Sequence, residues 1–285
     1  MNIKLLFIIL STLVPEIAMA QVLPPGVTFE PSTKINVEVL VGTITLQDDK
    51  IVFAYKVCSN QDSKQNVDLV AFELSELPSQ VGSPLNWFSP DAQTFRVDAG
   101  RKGATNTKIY YWLSDDKSEF DIKPGQCLEG FSLKSDKLPG IKQYFAQGNS
   151  PTLFPTLLNG ELTEEEEEQV GDIGNFFINS VSSKTVLPDV EASTSPVVLI
   201  DRLISLKHQA AQLGWIYGPG ADGLLNSLDV KLEAAKKSIL GNKNKAASNQ
   251  LKAFVTEVEA LHHKKIDDNA YYLLKVNAEF VISGL

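Results

Sequence analysis

The period of the hydrophobic pattern changes once along the chain, near Pro196, and this change constrains the fold more than any other feature. Before it, from Ile35 to about Ala146, apolar and polar residues alternate, which is typical of β-strands with one buried face. After it, apolar residues recur at intervals of three and four, which is typical of amphipathic helices. The sequence therefore predicts a β-rich region followed by a helical region.

The β-rich region divides into several short strands. Turn-forming pairs such as those at 124–125 and 139–140 separate the apolar runs, and no helical period of comparable length interrupts them. Many short strands at this spacing predict an immunoglobulin-like antiparallel β-sandwich over residues 21–146. One predicted strand has four apolar residues on a single face: Ile51, Phe53, Tyr55 and Val57.

The helical region, residues 197–285, contains four amphipathic segments with short connections, which predicts a four-helix bundle. Asp222 is positioned to cap the start of the second helix, and Gly241 to end it. Asp267 is positioned to cap the fourth helix.

Four sequence runs in this region resemble the FIMAH-type module, a small helical domain found in varied exported bacterial proteins. They are LGWI at 213–216, GLLNSLDVKLEAA at 223–235, ASNQLKAFVTEVEA at 247–260 and AYYLLKVNAEFVI at 270–282. The resemblance implies an accessory, non-catalytic module and brings no ligand or catalytic residue with it. The chain departs from the family pattern in an extended first connection at 217–220 and in a histidine pair, His262 and His263. The first two thirds of the chain carry no such resemblance.

Between the two regions lies an acidic segment, residues 147–196. It holds one lysine and nine acidic residues, five of them consecutive at 164–168. Such a run is typical of a solvated face, with weak calcium binding as the alternative. Apolar residues at 176–178 and 186–187 also predict a short hairpin or docked strip within this linker.

The start of the chain has the features of a bacterial signal peptide, residues 1–20. A basic residue precedes an apolar run that is too short to span a membrane, and Ala18-Met19-Ala20 forms a cleavage pattern. Since Gln21 rather than cysteine follows, a lipid anchor is not indicated. We therefore expect a secreted or periplasmic protein with no membrane span, and an uncleaved anchor is the alternative.

The chain has two cysteines, Cys58 and Cys127, each at one end of a predicted strand. Because the expected compartment is oxidising, a disulfide between them is the simplest prediction, and two separate buried thiols are the alternative. Reduction of this bridge is expected to lower the melting temperature of the first domain only.

Trp87 and Phe88 lie between two Ser-Pro pairs, in a predicted loop. An aromatic pair in a polar loop can stack on a sugar or contact a protein partner. The alternative is that these rings fold back over an open end of the sandwich. We take them as candidate ligand contacts.

Two groups of residues raise the question of a metal ion. Asp115, Asp116, Glu119 and Asp121 lie around one turn, but their spacing does not match a calcium-binding EF-hand loop, so a solvated turn is favoured. His262 and His263 would point about 100° apart on a helix, so an exposed helix end is favoured over a metal site. No metal or cofactor is therefore predicted.

No nucleophile elbow, phosphate-binding loop, dinucleotide fingerprint or zincin motif is present. The net charge of −9 argues against a nucleic-acid partner. We therefore expect no catalytic residues and a non-enzymatic binding or accessory protein, whose partner is a polysaccharide or a cell-surface protein. The alternatives are a structural component of the cell envelope or extracellular matrix and, third, a glycan-active enzyme that uses carboxylates.

Overall fold

The computed structural model describes residues 27–28, 31–47, 50–89, 108–115, 118–150, 156–157, 179–192 and 194–285. The predicted signal peptide and the acidic run at 164–168 lie outside these residues, as does Asp116.

The described strands form two larger sheets, all of whose neighbouring strands are antiparallel. The five-stranded sheet has the order β11–β9–β4–β7–β6, the four-stranded sheet has the order β2–β3–β8–β5, and β1 pairs with β10. The strands are β1 (Val27–Thr28), β2 (Val37–Gln47), β3 (Lys50–Ser59), β4 (Val67–Leu74), β5 (Gln80–Gly82), β6 (Trp87–Phe88), β7 (Lys108–Ser114), β8 (Cys127–Ser135), β9 (Lys137–Gly148), β10 (Thr156–Leu157) and β11 (Val181–Glu191).

The inward faces of these two sheets meet through aromatic rings. The predicted apolar face of β3 is buried, since Phe53 and Val57 are fully inaccessible to solvent and Tyr55 nearly so. The ring of Tyr55 on the four-stranded sheet lies edge-on to Phe72 on the five-stranded sheet, with centroids 4.8 Å apart. Trp112 and Phe131 make a second such contact between the sheets, at 5.6 Å. These edge-to-face contacts add to the stability that apolar burial provides.

The two cysteines form the predicted disulfide. Cys58 and Cys127 are direct partners in the antiparallel pair of β3 and β8, and they are bonded to each other. The bridge therefore joins neighbouring strands of one sheet, next to the connections that follow β3 and precede β8.

Strand β11 belongs to the segment 147–196. It pairs along its length with β9, and Thr185, Val186 and Leu187 are fully buried. This segment thus supplies an edge strand of the five-stranded sheet.

Four helices follow among the described residues: α1 (Pro196–Gln212), α2 (Ala221–Leu240), α3 (Asn244–Leu261) and α4 (Asp268–Ser283). Each contacts the next, and α1 also contacts α4. The predicted cap of α4 is confirmed, because the side chain of Asp267 accepts a hydrogen bond from the backbone N–H of Ala270 at 2.8 Å. The prediction for Asp222 is wrong: Gly220, which has a positive φ of 79°, precedes the first residue of α2, and Asp222 lies within the first turn.

Helix α4 packs against β2, β9 and β11, and we call this contact region the helix-covered edge. Both sheets bulge here, because Gly42 in β2 and Asp189 in β11 are extra residues in their ladders. A bulge leaves backbone polar groups without a partner in the ladder.

Two asparagines of α4 bind backbone groups at this edge. The Asn269 side chain accepts a hydrogen bond from the Val41 N–H at 3.1 Å, and the Asn277 Nδ2 donates to the Pro139 carbonyl at 3.0 Å. Both side chains are at least 96% buried. Helix α4 therefore supplies hydrogen-bond partners to backbone groups of β2 and β9 close to the bulges.

An ionic contact also joins α1 to the bulge in β11. The carboxylate of Asp189 pairs with Arg202 of α1 and with Lys142 of β9. Gly140 leaves room for this contact, since a Cβ at that position would lie 2.6 Å from the Cβ of Asp189. Apart from this ionic contact, one continuous apolar core includes residues of both sheets and of all four helices.

Candidate functional site

One end of the two sheets is formed by connections rather than by helices. The β3–β4 connection (60–66), the β5–β6 connection (83–86) and the described part of the β7–β8 connection (115 and 118–126) all lie there, because antiparallel pairing brings these strand ends together. We call this region the loop end. Loops held on a rigid sheet scaffold commonly carry binding functions.

Backbone hydrogen bonds connect these loops to each other. The N–H of Asp115 donates to the Asn86 carbonyl at 2.8 Å, and Val67 exchanges two backbone bonds with Ile122 at 2.9 Å. The Gly125 N–H donates to the Ser59 carbonyl at 2.8 Å, beside the disulfide. The described parts of these loops are thus joined to one another and to the strand ends by backbone hydrogen bonds.

Trp87 fastens the β5–β6 connection to the interior. Its side chain is 4% exposed and lies edge-on to Phe131 at 5.2 Å, and its indole Nε1 donates to the Phe120 carbonyl at 3.0 Å. Asn86, immediately before it, has a positive φ of 62°, a conformation that asparagine tolerates better than most residues. Trp87 therefore positions the turn from within.

Phe88, the second predicted contact residue, is on the outside and 49% exposed. Trp87 and Phe88 form strand β6 and not the predicted loop, whereas Leu85 lies in the connection before that strand and is 88% exposed. The two predicted aromatics are therefore separated by the alternation of a strand, one inward and one outward. Sequence reasoning missed Leu85; its signal was an apolar residue between Pro84 and Asn86, where a turn usually carries a polar side chain.

Carboxylates lie at the same end, but in a different grouping from the predicted one. Asp121 is 5% exposed and accepts hydrogen bonds from Ser114 Oγ at 2.7 Å and Asn149 Nδ2 at 3.2 Å. Asp115 and Glu119, from the same predicted cluster, are exposed. The predicted turn therefore does not bring its acidic side chains into one environment.

The residue whose charge interacts with Asp121 is Asp68, which sequence reasoning missed. Asp68 is the extra residue of a bulge between β4 and β9. Burial, together with the nearby negative charge of Asp121, raises the pKa of the Asp68 carboxyl to about 7. Its signal in the sequence was an acidic residue inside the otherwise β-rich run 67–72.

Among the described residues, one group of three potential metal ligands has its ligand atoms close together, and it lies outside the loop end. His262, His263 and Asp268 each bring one such atom within 4.8 Å of the other two, at the connection between α3 and α4.

No family model matches the chain, and no curated protein is significantly similar to it. Among solved structures, the chain is similar to an uncharacterized protein from Nocardia farcinica whose crystal structure is described as having an immunoglobulin-like fold. The two are 11% identical with a TM-score of 0.26, and the match covers 55% of this chain and 97% of the other. No helix within the described residues has the length and apolar character needed to cross a membrane.

Proposed function

We propose that this protein is an exported, non-catalytic binding protein that recognises its partner through the loop end. In this proposal the two sheets form an immunoglobulin-like sandwich, and the four helices form an accessory bundle of the FIMAH type. The observation that carries the proposal is the exposure of Leu85, in the β5–β6 connection, and of Phe88, in β6, on either side of the buried Trp87 that anchors this segment.

Exposed apolar side chains on a fixed base have the properties of a binding anchor. Burying a leucine or phenylalanine side chain in an interface contributes about 1.5 to 3 kcal/mol. Because hydrogen bonds and the disulfide hold the described parts of the surrounding loops, little further ordering of those parts opposes that gain. The partner classes that suit such a surface are a polysaccharide, on which the Phe88 ring can stack, and a cell-surface protein.

The proposed location outside the cytoplasm is supported by two features. The disulfide between Cys58 and Cys127 is typical of an oxidising compartment. The predicted signal peptide at 1–20 would direct the chain there.

The test compares binding by the mature chain and by the double variant Leu85→Ser/Phe88→Ser. Purified polysaccharides and an extract of cell-surface proteins serve as probes. Leu46→Ser is the matched control, because Leu46 is 74% exposed and lies near the end of β2 that is farther from the loop end. Trp87→Ala is unsuitable, since truncating a buried tryptophan costs about 3 to 5 kcal/mol of stability.

We expect the mature chain to bind one probe, the double variant to bind it at least tenfold more weakly, and Leu46→Ser to bind normally. Equal binding by all three proteins would remove the loop end as the recognition surface. Light scattering is the companion measurement, because assembly that grows with concentration would favour the structural alternative.

A second candidate function, carboxylate-based glycan hydrolysis, is favoured by the raised pKa of Asp68 beside Asp121. A carboxyl that holds its proton near neutral pH, next to a second carboxylate, has the properties of a general acid. The test is a depolymerisation screen of the same polysaccharides with the mature chain and Asp68→Asn. Turnover that disappears in Asp68→Asn would establish this function, and the absence of turnover in the mature chain would exclude it.

A further inference from the structure

The connection between α3 and α4 turns two adjacent histidines out of the helix. Helix α3 ends at Leu261, and His262 has an extended backbone with φ −55° and ψ 133°. His263 has a positive φ of 59°, and its N–H donates to the Ile266 carbonyl at 2.8 Å. The 100° separation of neighbouring helical side chains therefore does not apply to this pair, and the two imidazole rings stack with centroids 3.7 Å apart.

Both rings lie beside the first residue of α4. His262 Nε2 is 2.7 Å from Asp268 Oδ1, and His263 Nδ1 is 3.7 Å from the same oxygen. Tetrahedral coordination with bonds of about 2.0 to 2.1 Å separates ligand atoms by roughly 3.3 Å. The two observed distances lie on either side of that value. Because the two rings are stacked, the His263 ring would have to turn out of the stack before both nitrogen lone pairs could point at one ion.

Within this group, His262 and Asp268 are held in place by their neighbours, whereas His263 is exposed. His262 is 20% exposed and stacks on Tyr271, with centroids 3.8 Å apart and planes 5° from parallel. The Asp267 cap fixes the start of α4 and hence the position of Asp268. His263 is 71% exposed, so its ring can turn toward an ion without displacing packed neighbours.

Three neighbouring ammonium groups have partners outside this cluster, and the charge of one of them is balanced by a carboxylate. Lys264 Nζ donates to the Ala260 carbonyl at 2.9 Å, and Lys265 Nζ donates to the Pro219 carbonyl at 2.8 Å. Lys275 pairs with Glu259 at 2.5 Å.

We propose that His262, His263 and Asp268 form a site for a divalent transition metal of the zinc class. Two imidazole nitrogens and one carboxylate oxygen are a ligand set that zinc, nickel and copper accept, whereas calcium and magnesium prefer oxygen ligands alone. The exposed side of His263 leaves the fourth position open to water or to a ligand from another molecule. The ion would join the end of α3 to the start of α4.

The test is a calorimetric titration of the mature, disulfide-bonded chain with Zn²⁺ in a buffer that does not bind metals. The main variants are His263→Asn and Asp268→Asn; asparagine tolerates the positive φ at 263, so the fold is retained. The control is His208→Ala, since His208 is the only other histidine of the chain and is 49% exposed on α1.

We expect one Zn²⁺ per chain, an affinity reduced at least tenfold in His263→Asn and Asp268→Asn, and an unchanged affinity in His208→Ala. The rise in melting temperature with Zn²⁺ should be equal in the mature chain and the control and clearly smaller in the two main variants. The proposal is overturned by no binding to the mature chain, by equal binding to His263→Asn, or by loss of binding in His208→Ala.

Discussion

The helix-covered edge and the loop end both contain bulged strands, but the bulges have opposite consequences. At the helix-covered edge, buried amides of Asn269 and Asn277 bind backbone groups near the bulges, and the surface is closed. At the loop end, the bulge at Asp68 places a carboxyl near another carboxylate, and apolar side chains remain exposed close by. The same local irregularity is thus covered by buried amide side chains where a helix packs on it, whereas at the loop end it holds one carboxyl close to another.

The largest expected effect concerns the disulfide at the loop end. The double variant Cys58→Ser/Cys127→Ser should lose roughly 4 kcal/mol of stability in the chain-entropy model, because the bridge closes a long loop of the unfolded chain. Since one core includes the sheets and helices, we expect tryptophan fluorescence and helical circular dichroism to report a single, shifted melting transition. This differs from the sequence-based expectation that only the first domain would respond. Two separate transitions would show that the helix-covered edge does not couple the regions.

The next largest effect is expected at the helix-covered edge, from loss of a buried hydrogen bond between α4 and β9. Asn277→Ala should lower the free energy of unfolding by about 2 to 3 kcal/mol, because the buried Pro139 carbonyl loses its donor and a small cavity remains. Asn249→Ala, on the exposed face of α3, is the matched control and should change stability by less than about 0.5 kcal/mol. Urea denaturation of both variants measures the difference, and equal midpoints would contradict it.

A smaller effect is expected from pH at the loop end. Because the pKa of Asp68 is raised to about 7 in the folded protein, the folded state binds more protons than the unfolded state between about pH 4 and pH 7. The contribution of this group to stability is therefore full below pH 4 and falls as the pH rises to 7.

Asp68→Asn should remove that dependence. The variant should be more stable than the parent protein by about 2 kcal/mol at pH 8, after allowing for solvent screening, and equal to it near pH 4. Melting temperatures across this pH range provide the measurement. Glu119→Gln, an exposed carboxyl of the same end, should keep the slope of the parent protein; a shared slope in all three proteins would refute the assignment to Asp68.

The smallest expected effect on stability comes from the exposed apolar pair. Leu85→Ser/Phe88→Ser should lower the free energy of unfolding by only about 1 kcal/mol, mainly through Phe88, because Leu85 is 88% exposed and Phe88 is half-buried in the free protein. Urea denaturation is again the measurement. A loss of several kcal/mol would mean that the pair supports the fold, and its exposure would then be no argument for recognition.

Local patterns in the sequence predicted those structural features that depend on residues close together in the chain. The alternation around Tyr55 identified a buried strand face, and the cysteine pair identified the disulfide. The cap at Asp267 and the end of α2 at Gly241 also follow from local chemistry. The candidate site was only half visible: Phe88 was found, but the exposure of Leu85 and the neighbourhood of Asp68 and Asp121 were not.

The hydrophobic period and the turn residues alone determined the order of strands and helices, because both signals depend only on residues that are close together in the sequence. Only the tertiary structure decided where distant residues meet: Asn269 and Asn277 against the bulged strands, Asp68 beside Asp121, and His262 with Asp268 across a helix end. The physical reason is that a bulge or a helix end changes the direction in which the following side chains point. Which residues those side chains then contact depends on the packing of elements that are far apart in sequence.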